Sequence, residues 1–341
     1  MLVSHILLAL GITSTHAATG NYPLAVHNIT RLPGYHFENL AVRANGQIIT
    51  TTAGPEAYIY QVDPLGIVPT TRLFEIPIVN GSAAGIAEGE TDIFYVVAGR
   101  YDLQNTTVTY PDTYQVIKIN MRDVFVFPNG TLNKHPEIKR VANLTDAQLP
   151  NGATFARPTG SNNLLVADAF RGLIWNVDVH SGSVKVALND TATKGEGSGP
   201  AFTGINGIKE FNGSLYWTST GAQKLWKVAI NKHGNVAAGV TPTLITSNLT
   251  CDDIVIDDTG ILYVAGPQDV ITKVTPNGQQ TIITGTYHSL NSSVVGPSAL
   301  RFGRGVSDRW SLYITTNGGL PAVLGGSVPT AAGISRIDLG Y

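Results

Sequence analysis

The chain has 341 residues, 13% of them charged and 43% hydrophobic, with 37 glycines, 18 prolines, two methionines and a formal net charge of −2. Lysine and glutamate are sparse, whereas Thr, Val, Ile, Asn and Gly abound; these suit strands and turns and argue against a long coiled coil or helix bundle. No run of Lys or Arg exists, which argues against nucleic acid or an anionic membrane surface as partner, and the hydrophobic share argues against disorder.

Residues Met1 to Ala18 carry an apolar run, Ile6 to Ile12, followed by small residues ending at Ala17-Ala18. This predicts a secretory leader over 1–18, too short to span a bilayer, ahead of a single domain over 19–341. No later stretch reaches about 18 uninterrupted apolar residues, so no membrane span is expected. Nine Asn-x-Ser/Thr sequons fit a secreted glycoprotein: Asn28, Asn80, Asn105, Asn129, Asn143, Asn189, Asn212, Asn248 and Asn291. They are expected on surface loops or strand edges. Cys251 is the sole cysteine. That excludes an intrachain disulfide, a CxxC motif and a thiolate zinc site, so packing must hold the fold.

From Glu38 onward one unit repeats six times: a short apolar strand, a turn, a strand of the Leu-Tyr-Val-Ala type, a loop, and a strand of the Ile-x-x-Val-Asp type. The first copy reads Glu38-Asn39-Leu40-Ala41-Val42, Gln47 to Thr51 and Tyr58 to Asp63; the fifth reads Asp252 to Ile256, Leu262-Tyr263-Val264-Ala265 and Ile271 to Val274. Copies start near Glu38, Ala84, Asn151, Asn206, Asp252 and Ser298, about 46 residues apart, with insertions in the second and third. That period, with several short strands per unit, predicts an all-β six-bladed β-propeller. Fourth strands are expected at Thr71 to Glu75, Val184 to Val186 and Thr281 to Ile283. The sixth unit ends without one, and Ala25 to Thr30 belongs to no unit. This N-terminal strand is therefore expected to close the last blade and remove an open edge.

In such a ring every innermost strand starts at one mouth beside the axis. Glu38, Asn151, Asn206 and Asp252 then converge from blades distant in sequence, with Ala84 or Gly85 and Ser298 completing the circle. Carboxylate and amide oxygens suit a hard divalent cation such as Ca²⁺. Read one at a time, the same residues are ordinary turn formers before a strand. Long loops around the mouth mix aromatic and aliphatic residues with few charges, as a pocket for small apolar molecules does. They supply His36, Arg100, Tyr101, Phe202, Tyr287 and His288 as candidate substrate contacts. The two histidines are also candidate acid–base groups. Gly195 to Gly199 lacks the Lys-Ser/Thr and strand-to-helix setting of a phosphate loop, and no Gly-x-Ser-x-Gly elbow stands before a helix. Trp175, Trp217, Trp226 and Trp310 are expected to pack between blades.

The Asn-Gly-x-x-Phe and Leu-Tyr-Val-Ala-Asp phrases resemble the SMP-30/gluconolactonase/LRE-like six-bladed propellers over nearly all of residues 24–341. The resemblance implies a divalent metal, Ca²⁺ or another, on Glu38, Asn206 and Asp252, with Asn151 beside them as a ligand or substrate contact. It also implies a lactonase-type hydrolase in which Asp168 or His288 assists proton transfer. Two departures stand out: the family's Glu-Gly-Pro is Glu38-Asn39-Leu40 here, and its Asp-Gly is Asp252-Asp253. The leader, sequons, low charge, lone cysteine and apolar loops are similar to those of secreted fungal propellers that act as hetero-Diels–Alderases in tropolone–sesquiterpenoid biosynthesis. That resemblance implies cycloaddition of a tropolone quinone methide onto a humulene-type alkene, helped by mouth groups such as Arg100, Asn151 or His288. Given the altered metal motifs, cycloaddition is the reading preferred from the sequence. The lactonase is the alternative, and a non-catalytic binding propeller the third.

Overall fold

The computed structural model describes residues 22–54, 56–101, 108–196, 203–319 and 330–340. The expected leader at 1–18, Asn105 and Phe202 lie outside the described residues. The chain opens with β1 (Val26–Leu32). The first blade follows as β2 (Phe37–Val42), β3 (Ile48–Thr52), β4 (Tyr58–Val62) and β5 (Thr71–Glu75). The second is β6 (Gly81–Glu88), β7 (Ile93–Arg100), β8 (Gln115–Asn120) and β9 (Glu137–Asn143), and the third β10 (Pro150–Phe155), β11 (Asn163–Asp168), β12 (Leu173–Asp178) and β13 (Val184–Leu188). The fourth is β14 (Ile205–Phe211), β15 (Ser214–Ser219), β16 (Lys224–Ala229) and β17 (Thr243–Ser247). The fifth is β18 (Ile254–Ile256), β19 (Leu262–Gly266), β20 (Val270–Val274) and β21 (Gln280–Gly285). The sixth has β22 (Pro297–Phe302), β23 (Ser311–Thr316) and β24 (Ala332–Asp338), and β1 supplies its fourth strand.

Each inner strand lies against the inner strands of both neighbouring blades, and β22 lies against β2, so the ring closes as a six-bladed propeller. The closing strand pairs antiparallel with β24, Val26 opposite Ile337 and Leu32 opposite Ala332. It sits where the sequence places it and runs two residues further. Among the described residues the only helical turn is a 3-10 turn at Thr191–Thr193.

Period-two alternation explains how the blades stack. Along β7, Phe94, Val96 and Ala98 enter a cluster shared with the first blade, through Ile49, Ile59 and Leu73. Ile93, Tyr95 and Val97 enter a cluster shared with the third blade, through Leu164, Val166 and Trp175. The same division recurs around the ring, so the core consists of separate wedges between sheets. Both faces of a middle strand are thus covered, which is why its sequence reads as a near-continuous apolar run. Trp175 and Trp217 are buried in these wedges, as expected of packing residues.

At the axis the inner strands approach so closely that side chains become the problem. A Cβ on Gly152 would lie 2.4 Å from the Asn206 carbonyl oxygen, and one on Gly207 would lie 2.4 Å from the Asp253 Cα. Neighbouring blades are tied there by hydrogen bonds: Thr51 Oγ1 on β3 donates to the Ala84 carbonyl (2.8 Å), Asp253 N to the Ser298 carbonyl (3.1 Å) and Ser298 Oγ to the Phe37 carbonyl (2.9 Å). Ser298 is therefore turned into the wall and is not a mouth ligand.

We predict that Gly152→Ala, which forces β10 away from β14, destabilises the fold by about 1–3 kcal/mol. Denaturant unfolding measures this; unchanged stability would mean that the strands at the axis can separate freely.

Candidate functional site

Five of the six inner strands start with the same irregularity. The register shifts between Phe37 and Leu40, Ala83 and Ile86, Pro150 and Ala153, Ile205 and Ile208, and Pro297 and Ala299. A bulge inserts an extra residue and re-aims a side chain. Glu38, Asn151 and Asn206 sit in these bulges, and Asp252 occupies the same step before β18, where Asp252 N donates to the Ala265 carbonyl and Ala265 N to that of Asp253. The four side chains meet at one mouth. Asn151 hydrogen-bonds the Glu38 carboxylate, Asn206 hydrogen-bonds that of Asp252, and the two acids interact with each other. Both are half-buried.

One layer deeper lies a group that the sequence reading passed over. Asp253 is buried and receives Lys209 Nζ at 3.0 Å, both Arg301 Nη atoms at 3.1 Å and Asn39 Nδ2 at 3.0 Å. Arg301 Nη2 also donates to Asn39 Oδ1 at 2.9 Å. The fourth, fifth, sixth and first blades are thereby joined across the axis. The available signal was a single cation at the same step of two apolar strands, Ile208-Lys209 and Leu300-Arg301, beside a doubled aspartate.

This arrangement sets the charge states. Burial would raise Asp253, but Lys209 and Arg301 more than offset it and hold the carboxyl below its usual range. Burial and the Arg301 charge lower Lys209 to about 8. Glu38 has no cation of its own: burial and the Asp253 charge push it up to about 7, against the Asn151 hydrogen bond. Burial, Glu38 and Asp253 raise Asp252 well above the carboxylate range, against the Asn206 bond. Both acids are thus pushed toward the protonated form, the state in which one of the pair donates while the other accepts.

The remaining candidates divide. Tyr101 reaches the mouth: its hydroxyl donates to the Pro150 carbonyl, its ring packs on Tyr114, and burial raises it well above the ordinary phenol range. His36 Nδ1 lies 2.9 Å from the Asn317 carbonyl, where the last blade meets the first. Tyr287 and His288 stand together on the rim, rings 6.0 Å apart. Arg100 is also on the rim, with its guanidinium 3.8 Å over the Tyr110 ring; among the described residues no hydrogen bond or ion pair joins it to the quartet. Asp168 cannot assist proton transfer. It is buried and already accepts from the N–H groups of Gln148, Leu149 and Arg171 and from Trp175 Nε1. Cys251 is buried, and its thiol is pushed up by that burial.

The donor set tests the implied cation. Two carboxylates and two amides form an all-oxygen set, and Asn206 Oδ1 is buried with no hydrogen-bond partner among the described residues. These residues fit a hard divalent ion, although among the described residues no cluster of three His, Cys, Asp or Glu side chains could hold one. At the opposite mouth lies a separate cavity of about 310 Å³, lined by Phe155, Phe302, Lys209, Arg301, Arg304 and Glu88 among others. The Asp253 layer stands between it and the quartet.

No family model matches the chain. It is 27% identical over 308 residues to a protein of Phoma sp. named as a candidate hetero-Diels–Alderase, covering 83% of this chain and 84% of that one. A second protein with that name, from Sarocladium schorii, is 24% identical over 319 residues, covering 85% and 77%. The fold is that of luciferin-regenerating enzyme (TM-score 0.62, 13% identity, 92% of this chain and 95% of that one). It is equally that of regucalcin from Agrobacterium tumefaciens, described as a calcium-binding protein (TM-score 0.61, 13% identity, 92% and 94%). Among the described residues no helix is long and apolar enough to cross a membrane.

Because Glu38 is raised above its unfolded value, its contribution to stability is fully present below about pH 4.5 and is lost as pH rises through about 7. The melting temperature should fall from pH 5 to pH 8, and Glu38→Gln should flatten that fall; an unaltered pH slope would place Glu38 in water. Asp253→Ala leaves Lys209 and Arg301 without their carboxylate and should cost about 3–5 kcal/mol in denaturant unfolding. A loss below about 1 kcal/mol, the size of an exposed pair, would contradict the burial of this cluster.

Proposed function

We propose that the chain is a pocket enzyme that joins a tropolone quinone methide to a humulene-type sesquiterpene by intermolecular hetero-Diels–Alder cycloaddition. The observation that carries this reading is the likeness, over more than four-fifths of the chain, to the two relatives named as candidate hetero-Diels–Alderases. The chemistry of the mouth agrees with it. A hydroxymethyl tropolone loses its hydroxyl group and a ring hydroxyl proton as water, leaving an exocyclic methylene conjugated to a carbonyl. The alkene then adds across that four-atom C=C–C=O unit, forming one C–C and one C–O bond with no atom lost.

Such a reaction asks for orientation and a few aimed hydrogen bonds rather than for a nucleophile. Glu38 or Asp252, whichever holds the proton, donates to the departing hydroxyl, and the other accepts the ring proton. The Asn151 and Asn206 amides hold the tropolone oxygens in register. Tyr101, His36, Tyr287 and His288 supply aromatic surface at the rim for the apolar partner.

One observation favours a second reading, a divalent-metal-dependent lactonase-like hydrolase: the buried Asn206 Oδ1, unpartnered among the described residues. There Glu38, Asn206 and Asp252, with Asn151 beside them, would hold Ca²⁺ or another divalent ion, which supplies Lewis-acid polarisation of a lactone carbonyl when bound.

The test supplies a hydroxymethyl tropolone and a humulene-type alkene, with and without chelator, and follows the adduct by mass. The proposal expects adduct formation that survives chelation, reduced about 100-fold or more by Glu38→Ala combined with Asp252→Ala at unchanged circular dichroism. Lactone hydrolysis lost to chelator and restored by Ca²⁺, with no adduct, supports the second reading. Full adduct formation by the double variant removes the quartet from the reaction.

A further inference from the structure

A propeller leaves the outer strand of every blade with an unpaired edge, here β5, β9, β13, β17, β21 and β1. An open edge is a template for pairing with another copy, and proteins blunt it with charge, bulges or cover. Two of these edges lack charge altogether. β17 reads Thr-Leu-Ile-Thr-Ser and β21 Gln-Thr-Ile-Ile-Thr-Gly, with no charged residue in either. Four outer strands also show a large apolar side chain to solvent: Ile138, Val186, Leu244 and Ile282 are each more than 40% exposed. The outer strands other than β17 and β21 carry charge: Glu137, Lys139 and Arg140 surround Ile138 on β9, and β5, β13 and β1 hold Arg72 and Glu75, Lys185, and Arg31. β21 has partial cover, since Leu24 N donates to the Ile283 carbonyl at 2.7 Å.

The sequons follow these edges blade by blade. Asn28 lies within β1, Asn143 is the last residue of β9, and Asn189 and Asn248 come directly after β13 and β17. Asn80 and Asn291 lie in the connections leaving β5 and β21. Four of the six thus lie on an outer strand or directly after it, while Asn80 stands just before β6 and Asn291 midway between β21 and β22, so each blade carries one on its outer strand or in the connection that leaves it. All eight described sequon asparagines are exposed. Among the described residues no hydrogen bond engages the Nδ2 of any of them; Asn28, Asn129 and Asn189 are held through Oδ1 only. Elsewhere Asn39, Asn133, Asn163, Asn176 and Asn206 donate from Nδ2. The nitrogen that a glycan needs is thus free at the sequons and used at those other asparagines.

We propose that N-linked glycans on Asn28, Asn80, Asn143, Asn189, Asn248 and Asn291 guard the six outer edges against pairing between copies, one per blade. In each attachment Nδ2 bonds the anomeric carbon of an oligosaccharide carried on a lipid diphosphate; the sugar–phosphate C–O bond breaks, the lipid diphosphate leaves and one amide proton is lost. Leu244 lies four residues from Asn248, about 13 Å along an extended strand, within the sweep of a flexible oligosaccharide. Edge cover by sugar stands in for the charge that β17 lacks, so Asn248 matters most and Asn143 least.

The experiment secretes the full chain from a eukaryotic host and maps occupancy by peptide mass after glycan release. It then compares Asn248→Gly with Asn212→Gly in light scattering on mild heating. Both asparagines have positive φ, +57° and +48°, so glycine fits each backbone, yet Asn212 lies on the β14–β15 turn away from any outer strand. Expected are glycans on these six asparagines, and aggregation of Asn248→Gly several-fold faster than wild type while Asn212→Gly behaves as wild type. Trimming the folded wild-type protein with an endoglycosidase should accelerate aggregation without shifting the unfolding midpoint, which keeps the test decisive if Asn248→Gly is not secreted. An unglycosylated Asn248, equal aggregation of the two variants, or trimmed protein that stays as soluble as before would overturn the proposal.

Discussion

A carboxylate buried on the axis of a ring needs partners from more than one blade, and Asp253 shows how that requirement organises the molecule. It takes Lys209 from one neighbouring blade, Arg301 from the other and Asn39 from the next. Removing any partner leaves charge in a low-dielectric setting, so four blades are locked in mutual register. The same cluster divides the axial channel into a mouth holding Glu38 and Asp252 and a chamber walled by Phe155 and Phe302. Burial raises both acids above it, and the Asp253 charge adds to that shift although two cations face it. The buried scaffold charge and the site electrostatics are therefore linked.

The site is equally a product of strand irregularity. An ideal inner strand would alternate its side chains between the two blade interfaces and send none to the axis. The bulge at the start of the inner strands breaks that alternation at one step and aims Glu38, Asn151 and Asn206 inward. Gly152 and Gly207 come next because no Cβ fits between neighbouring inner strands. The Asn-Gly pairs thus have two reasons at once, a polar group for the mouth and a bare backbone for the close approach.

Much of this is legible in the sequence because a repeat makes each blade a copy of the same evidence of strand and turn. The six units, the closing strand and the convergence of Glu38, Asn151, Asn206 and Asp252 follow from periodicity alone. What escapes is pairwise and long-range. Nothing in Ile208-Lys209 or Leu300-Arg301 says that both cations turn to the same aspartate 44 and 48 residues away. Ser298 matches the other mouth residues in position yet bonds the Phe37 carbonyl, because a short hydroxyl finds a backbone acceptor before it reaches the axis. Arg100 looks like a free mouth cation until the Tyr110 ring lies beneath it. Asp168 resembles a spare acid, but four N–H groups occupy its oxygens.

The central claim is that the channel end bearing the acid–amide quartet is where a small apolar molecule is held. A crystal structure with a stable tropolone–sesquiterpene adduct bound tests it most directly. The account predicts the adduct's oxygens within hydrogen-bond distance of Glu38, Asp252, Asn151 or Asn206, with its hydrocarbon part against Tyr101 and the rim. An adduct seated instead beside Phe155 and Lys209 in the opposite chamber, or on the outside of the blades, would contradict it.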